Sequence, residues 1–388
     1  MEPKLLHPIS FNPRIPYPVT ILLAGFATFI ISFIYFLNLD SDFVYKIQRQ
    51  AVVQKIENYE YSLREKAATQ AVHTEAVSYQ LPSDFAVLPS AKWVPQTFNN
   101  CGPATTSMVL QYFGYSVSQE DTKSALRTNP DDKNVFTFEI SDYLRKNYNI
   151  ESKLLYNGSA QTLKTLIANG IYVMVEDWLH PNEDIGHVTI LRGFDDKRGM
   201  FIADDSYLGT NIKYPYEEFD KTQWKPFNRE YLPVYKPEQK ALVETIVGND
   251  WDEKTMFENA VEKNLADTKK DSEDMYAWFN VGTSYFALGK FQEAKSAFEK
   301  SKEIGWPKRM LWYQIQPVET YIALSESDKA IQLANVGLIG NDSFSELHLE
   351  KAKAYKGLGD MGKAREETEK ALYYHPNYPD AKEFLNSL

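Results

Sequence analysis

The sequence predicts an α+β domain followed by an all-α helical-repeat domain, behind a single N-terminal transmembrane helix. Three observations carry this. A charge-free apolar run lies near the start, from Val19 to Leu37. A middle stretch mixes helical spacing with short strands around the only cysteine of the chain. From about residue 275 a large-to-small side-chain interval recurs in successive helical pairs. With 388 residues there is room for two or three domains beyond an anchor.

The N-terminal tail, residues 1–18, ends in Pro13, Pro16 and Pro18, which stop the next helix from extending backwards. The transmembrane helix is placed at residues 19–39, because about 20 apolar residues span a bilayer core as a helix. Tyr17 and Tyr35 fall near its ends, where amphipathic rings prefer to sit. No small-x-small cleavage site follows; Asn38-Leu39-Asp40-Ser41-Asp42 argues for a retained anchor over a cleaved signal peptide. Lys4 and Arg14 before the run nearly balance Lys46 and Arg49 after it, so basic residues do not orient it. A short tail, one span and a long polar remainder is the layout of a signal anchor. That layout puts the bulk of the chain on the extracytoplasmic side. Residues 40–80 read as a helical stalk without Gly or Pro from Asp42 to Tyr79. Val52, Ile56, Tyr59 and Leu63 follow a four-three-four spacing, too short a run to claim a coiled coil.

The α+β domain is placed at residues 81–237. Cys101 stands just before a stretch in which Met108, Val109, Tyr112 and Phe113 recur at helical spacing, with Gly114 as a stop. A helix N-terminus stabilises a thiolate through unpaired N–H groups and the positive end of the dipole. Of the six histidines, His187 opens a strand, Gly186 to Phe194. A polar, glycine-closed turn leads to a second strand, Gly199 to Ala203, ending in Asp204-Asp205. A His that starts one strand and an Asp that ends its neighbour are placed as a base and its orienting carboxylate.

This set resembles the C39-type cysteine peptidases, a papain-like family best known for clipping leader peptides. The family motif has a Gln shortly before Cys-Gly at a helix start, then a Gly/Pro-His strand, then a strand ending in Asp-Pro-x-x-Gly. Those positions fall here on Gln96, Cys101, His187 and Asp205, across roughly residues 85–235. Asp205 is preferred to Asp204 because it keeps the spacing to Gly209. The chain departs from the pattern in three ways. Gln96 lies one residue closer to the cysteine, Ser206 replaces the proline, and the ABC-transporter domains of the leader-processing members are absent. The resemblance implies attack by the Cys101 thiolate on a peptide carbonyl, His187 as proton carrier and Asp205 as its orienter. Gln96 would hold the oxyanion with the Cys101 backbone N–H. It implies a peptide or protein substrate and no cofactor.

The all-α domain is placed at residues 238–388, after Pro233 and Pro237. Trp278, Val281-Gly282, Tyr285, Ala294 and Phe298 have the order of a tetratricopeptide unit, with Pro307 after its end. Tyr321 and Ala330 mark a second copy, after a longer connection through Trp306 to Gln316. Ala352, Tyr355, Ala364 and Ala371 mark a third, closed by Pro376. Gly248, Trp251 and Ala260 mark a worn copy ahead of these. The resemblance to tetratricopeptide repeats implies a concave groove that recruits a protein or peptide partner.

Composition narrows the rest. The net charge is −11 and no basic cluster interleaves with aromatics, which argues against nucleic acid as a partner. No zinc spacing, phosphate loop or calcium loop occurs, so no cofactor and no metal are expected. The combined expectation is a single-pass membrane thiol peptidase whose repeats recruit a partner. Two alternatives use the same residues. One is a silent peptidase-like scaffold acting through its repeat groove. The other is an acyl or amide transferase, in which an amine replaces water at the acyl-enzyme.

Overall fold

Strand alternation builds the central sheet. Along Tyr172–Trp178 (β3), Val173 and Val175 face one side while Tyr172 and Met174 face the other. Both sides are apolar, so the strand is covered on both faces. The computed structural model describes residues 78–127 and 135–388. The transmembrane helix at 19–39 and the stalk up to residue 77 lie outside the described residues. Among the described residues no helix is long and apolar enough to cross a membrane.

The sheet is antiparallel throughout. It contains β1 (Phe85–Val87), β2 (Glu151–Ser152), β3, β4 (Gly186–Asp195), β5 (Met200–Asp205), β6 (Gly209–Pro215) and β7 (Tyr231–Tyr235), in the order β2-β7-β3-β4-β5-β6. β1 pairs with the far end of β4, Phe85 opposite Asp195. The hairpin expected around His187 and Asp205 is β4–β5, closed by Gly199 at a φ of 66°. Four helices flank the sheet: α1 (Cys101–Tyr112), α2 (Gln119–Leu126), α3 (Thr137–Tyr148) and α4 (Ala160–Ala168). α1 and α3 press Met108, Leu110, Ile140 and Leu144 onto Met174, Ile190 and Leu232. α4 covers the opposite face with Leu163, Leu166 and Ile167.

The repeats follow as α5 (Lys240–Val247), α6 (Glu253–Lys270), α7 (Met275–Ala287), α8 (Phe291–Ile304), α9 (Gln316–Ala323), α10 (Ser327–Gly337), α11 (Ser345–Gly357), α12 (Met361–Tyr374) and α13 (Pro379–Asn386). The three expected copies are the pairs α7–α8, α9–α10 and α11–α12. Ala294, Ala330 and Ala364 are fully buried at the crossings. Gly282 is small because a Cβ there would lie 2.5 Å from the Phe298 ring. The worn copy is cut short: α5 ends at Gly248, whose φ of 66° turns the chain out of the helix.

The boundary at 237/238 is a boundary in sequence rather than in packing. Residues 76–388 cluster as one compact unit. Val243, Met256 and Phe257 of α5 and α6 complete the same core as Val173 and Leu191 of the sheet. A second shared cluster joins Trp178 and Phe227 to Phe279, Phe298 and Met310, and Trp178 Nε1 donates to Tyr276 at 3.0 Å. Lys225 reaches Asp267 at 3.0 Å and Asp274 at 2.5 Å. The repeats are therefore docked on the α+β domain, with the first helices of the pairs turned towards it.

Candidate active site

α1 delivers the nucleophile candidate. Asn99 sits in the left-handed region at a φ of 57° and turns the chain into the helix. Cys101 is half-buried at the first helical position, while residues 102–110 behind it are buried. Helix burial thus fixes the sulfur at the rim of the core, beside the Cys101 and Gly102 N–H groups, which α1 itself cannot pair.

His187 is 2 % exposed and Asp205 is fully buried. The pleat decides which aspartate meets the histidine. Ile190 pairs with Asp204, so Asp205 falls beside Thr189, one diagonal step from His187 on the same face. His187 Nε2 lies 3.0 Å from Asp205 Oδ2, close in distance but off the ideal N–H direction. The imidazole also bonds to the Cys101 thiol, and Nδ1 is the nitrogen left for it. Burial pulls the His187 pKa down, but the Asp205 carboxylate and the Cys101 contact outweigh burial and hold it well above its ordinary value. Burial pushes Asp205 up, but His187 and the N–H groups of Leu208 and Tyr207 bring it to about 2. Oδ1 accepts from those two N–H groups at 2.8 and 2.6 Å, and Oδ2 accepts from Tyr214 Oη at 3.0 Å.

Asp204 points to the other face. It takes bonds from Arg192 Nε at 2.8 Å, Ser90 Oγ at 2.8 Å, Tyr112 Oη at 2.9 Å and the Ala91 N–H at 3.1 Å. It ties β5 to α1 and to the segment before it.

Gln96 lines the same cleft as Cys101 and His187. Its backbone N–H donates to the Ser206 carbonyl at 2.9 Å, and Ser206 Oγ donates to Gln96 Oε1 at 2.8 Å. With Oε1 held, Nε2 is the end left for an oxyanion. Two departures from the family pattern therefore meet: the serine in place of proline braces the displaced glutamine.

Several site residues were missed from sequence. Asp177 is paired directly with His187 across β3–β4 and bonds to Thr189 Oγ1 at 3.2 Å. Burial raises its pKa well above the usual carboxylate range, against the opposing pull of His187. Glu176, next to it, lines the cleft on the Cys101 side. The third is the connection after Trp306. There Arg309, Trp312 and Tyr313 form one wall of the cleft, a cavity of about 370 Å³. Arg309 is bound to Asp184 at 2.5 Å, and a Cβ on Gly186 would collide with the Tyr313 ring. The longer connection visible in the sequence was the signal for that wall. The glycine before His187 was the signal for what packs on it. Among the described residues no His, Cys, Asp and Glu cluster has the makings of a metal site.

Comparison with known proteins gives the same two parts. Residues 83–232 match the Peptidase_C39 like family, and residues 276–304 and 345–378 match the tetratricopeptide repeat. No curated protein matches this chain in sequence. Among solved structures, it is similar to a putative C39-like peptidase from Bacillus anthracis, at 16% identity over 40% of this chain and 98% of that one, with a TM-score of 0.32. It is similar to the peptidase domain of Streptococcus ComA, described as a bifunctional ABC transporter of a quorum-sensing pathway, at 15% identity over 38% and 98%, TM-score 0.31. It is also similar to a thermophilic tetratricopeptide protein of Thermus thermophilus, at 20% identity over 38% and 85%, TM-score 0.30. The chain carries a C39-like peptidase domain and tetratricopeptide repeats.

Proposed function

We propose that this protein is a membrane-anchored thiol peptidase. The observation that carries the reading is the convergence of Cys101, His187 and Gln96 on one cleft, with Asp205 buried behind His187. The Cys101 thiolate attacks a peptide carbonyl carbon as the thiol proton passes to His187. The Gln96 amide and the Cys101 backbone N–H take the oxyanion charge. His187 then gives its proton to the leaving amine, and water, deprotonated by His187, releases the acyl group from sulfur. Asp205 holds the imidazole and offsets its positive charge in the charged intermediate. The apolar run at 19–39 anchors the chain, with both domains on the extracytoplasmic side. The repeats present the substrate: their connection at Arg309–Tyr313 walls the cleft, and their first helices line the cavity behind it.

The test is hydrolysis of a peptide library by the full-length protein in detergent, beside Cys101→Ala and His187→Ala. Hydrolysis lost in both variants supports the reading. Hydrolysis undiminished in Cys101→Ala ends it. Added hydroxylamine or free amines separate the transferase alternative, since a transferase would yield amide or hydroxamate in place of acid. Protease exposure of intact spheroplasts reads topology: protection of both domains there would overturn the extracytoplasmic placement.

A further inference from the structure

Two carboxyl groups, Glu176 in the wall of the cleft and Glu230 in the cavity behind it, have no role in the mechanism above. β7 pairs with β3 so that Tyr231 faces Val175; the next rung sets Glu230 against Glu176. Like charges directly opposite on neighbouring strands are destabilising. The two carboxyls bond to each other, and Glu230, 5 % exposed, also takes bonds from Thr137 and Tyr156. No Lys, Arg or His of the described residues forms an ion pair with either. With no cation beside it, a buried acid pair cannot carry two negative charges cheaply and holds a proton in their place.

Their surroundings repeat the demand. Glu176, Phe136 and Tyr313 belong both to the Cys101 cleft and to a second cavity of about 610 Å³ behind it. That second cavity runs along the inner face of the repeats, past Phe286, Glu319, Glu350 and Asp380 of α7, α9, α11 and α13. Seven carboxyl groups and two lysines line it. Both lysines are engaged: Lys353 with Glu350 at 2.5 Å, and Lys153 with the Trp251 carbonyl and ring. Gln316 Oε1, in the same wall, is buried with no hydrogen-bond donor. An excess of carboxyl groups over cations, in a cavity that shares Glu176, Phe136 and Tyr313 with the Cys101 cleft, suits a positively charged donor.

Resting on the peptidase reading, we propose that Glu176 and Glu230 form a subsite for a protonated amine of the substrate, placed close to the scissile bond. The substrate is a basic peptide segment that reaches Cys101 along the acidic inner face of the repeats. Burial raises both carboxyls, Glu230 to about 7, so the empty pair keeps a shared proton that an incoming ammonium displaces. The amine has two sources, a lysine side chain or a free N-terminus.

The experiment measures kcat/KM for the full-length protein on two peptide sets. One set is N-acetylated and carries lysine or norleucine at each position flanking the bond. The other carries norleucine throughout, with a free or acetylated N-terminus. An amine preference of about 10-fold or more is expected in one set, which names the source. That preference should fall towards parity in Glu176→Gln and in Glu230→Gln. Because each ratio is taken within one preparation, a partly unfolded variant does not distort it. Equal rates with and without the amine in the wild type, or a preference that persists in both variants, overturns the proposal. Fluorescence anisotropy of the same peptides on Cys101→Ala separates the two readings. Amine-selective binding without any hydrolysis in the wild type sinks only the peptidase reading. Hydrolysis without amine selectivity sinks only this subsite.

Discussion

Two buried acid pairings flank Cys101, and they are built in opposite ways. On one side Asp205 has His187, two N–H groups and the Tyr214 hydroxyl, and its pKa is held at about 2. On the other side Glu176 and Glu230 face each other with no cation, and both are raised. The first pairing is complete without substrate and so can serve a chemical step at once. The second rests on a shared proton and leaves room for something positive to take that proton's place. Preorganised charge belongs to catalysis, and uncompensated charge belongs to recognition.

The sharpest way to break the comparison is to neutralise Asp205. Asp205→Asn should lower kcat, by up to about 10⁴, the loss that follows when the orienting carboxylate of a Ser-His-Asp triad becomes an amide. The matching change, Asp204→Asn, should instead lower stability, because Asp204 ties Arg192 and Tyr112 together away from the cleft. Steady-state kinetics beside thermal unfolding separates the two. Equal loss of kcat in both would remove the distinction that the pleat draws between neighbouring aspartates.

A smaller effect is expected at the oxyanion side. Gln96→Ala should cost about 10²–10³ in kcat with little change in KM. Ser206→Ala should cost less, because it frees the Gln96 amide to rotate without removing it. Ser206→Thr, which keeps the hydroxyl, should recover most of the loss. A Ser206→Ala enzyme with unchanged kcat would show that Gln96 needs no brace.

The positions of Cys101 and His187 were legible in sequence because each is local: a cysteine before a helical period, a histidine at a strand start. The repeats were legible for the same reason, since the Tyr-to-Ala interval lies within one helical pair. The choice of Asp205 over Asp204 rested on spacing to Gly209, and the geometry adds the reason, the two-residue alternation of β5. What escaped sequence reasoning is non-local. Glu176 and Glu230 are brought together only by the β3–β7 register. Ser206 and Gln96 meet across the domain, and the turn at Met310–Trp312 reaches the cleft only because the repeats share a core with the sheet. Treating residues 81–237 and 238–388 as separate bodies hid that wall.

Stability against pH distinguishes the two pairings without any substrate. A carboxyl raised on folding favours the fold below its unfolded pKa and withdraws that support as pH climbs through its folded value. For Glu230, raised from 4.5 to about 7, the withdrawal runs between those values. Glu230→Gln should therefore match the wild type in urea unfolding at pH 4 and exceed it at pH 8. Asp205 has the opposite sign: its contribution is present above about pH 4 and lost as pH falls towards 2. A Glu230→Gln protein less stable than the wild type at pH 8 would mean that the pair is already compensated.

The smallest effect tests whether the repeats wall the cleft. Gly186→Ala puts a methyl group against the Tyr313 ring and should destabilise by about 1–3 kcal/mol, as overpacking does. Tyr313→Ala opens the space, so the double variant should recover part of that loss, with a coupling energy measurable in a double-mutant cycle. The coupling joins a residue beside the candidate base to a residue of the repeat connection. If the two changes add without coupling, the ring does not rest on Gly186, and the repeats lose their claim to a wall of the site. If they couple, a single contact ties the repeat half of the molecule to the half that holds the thiol.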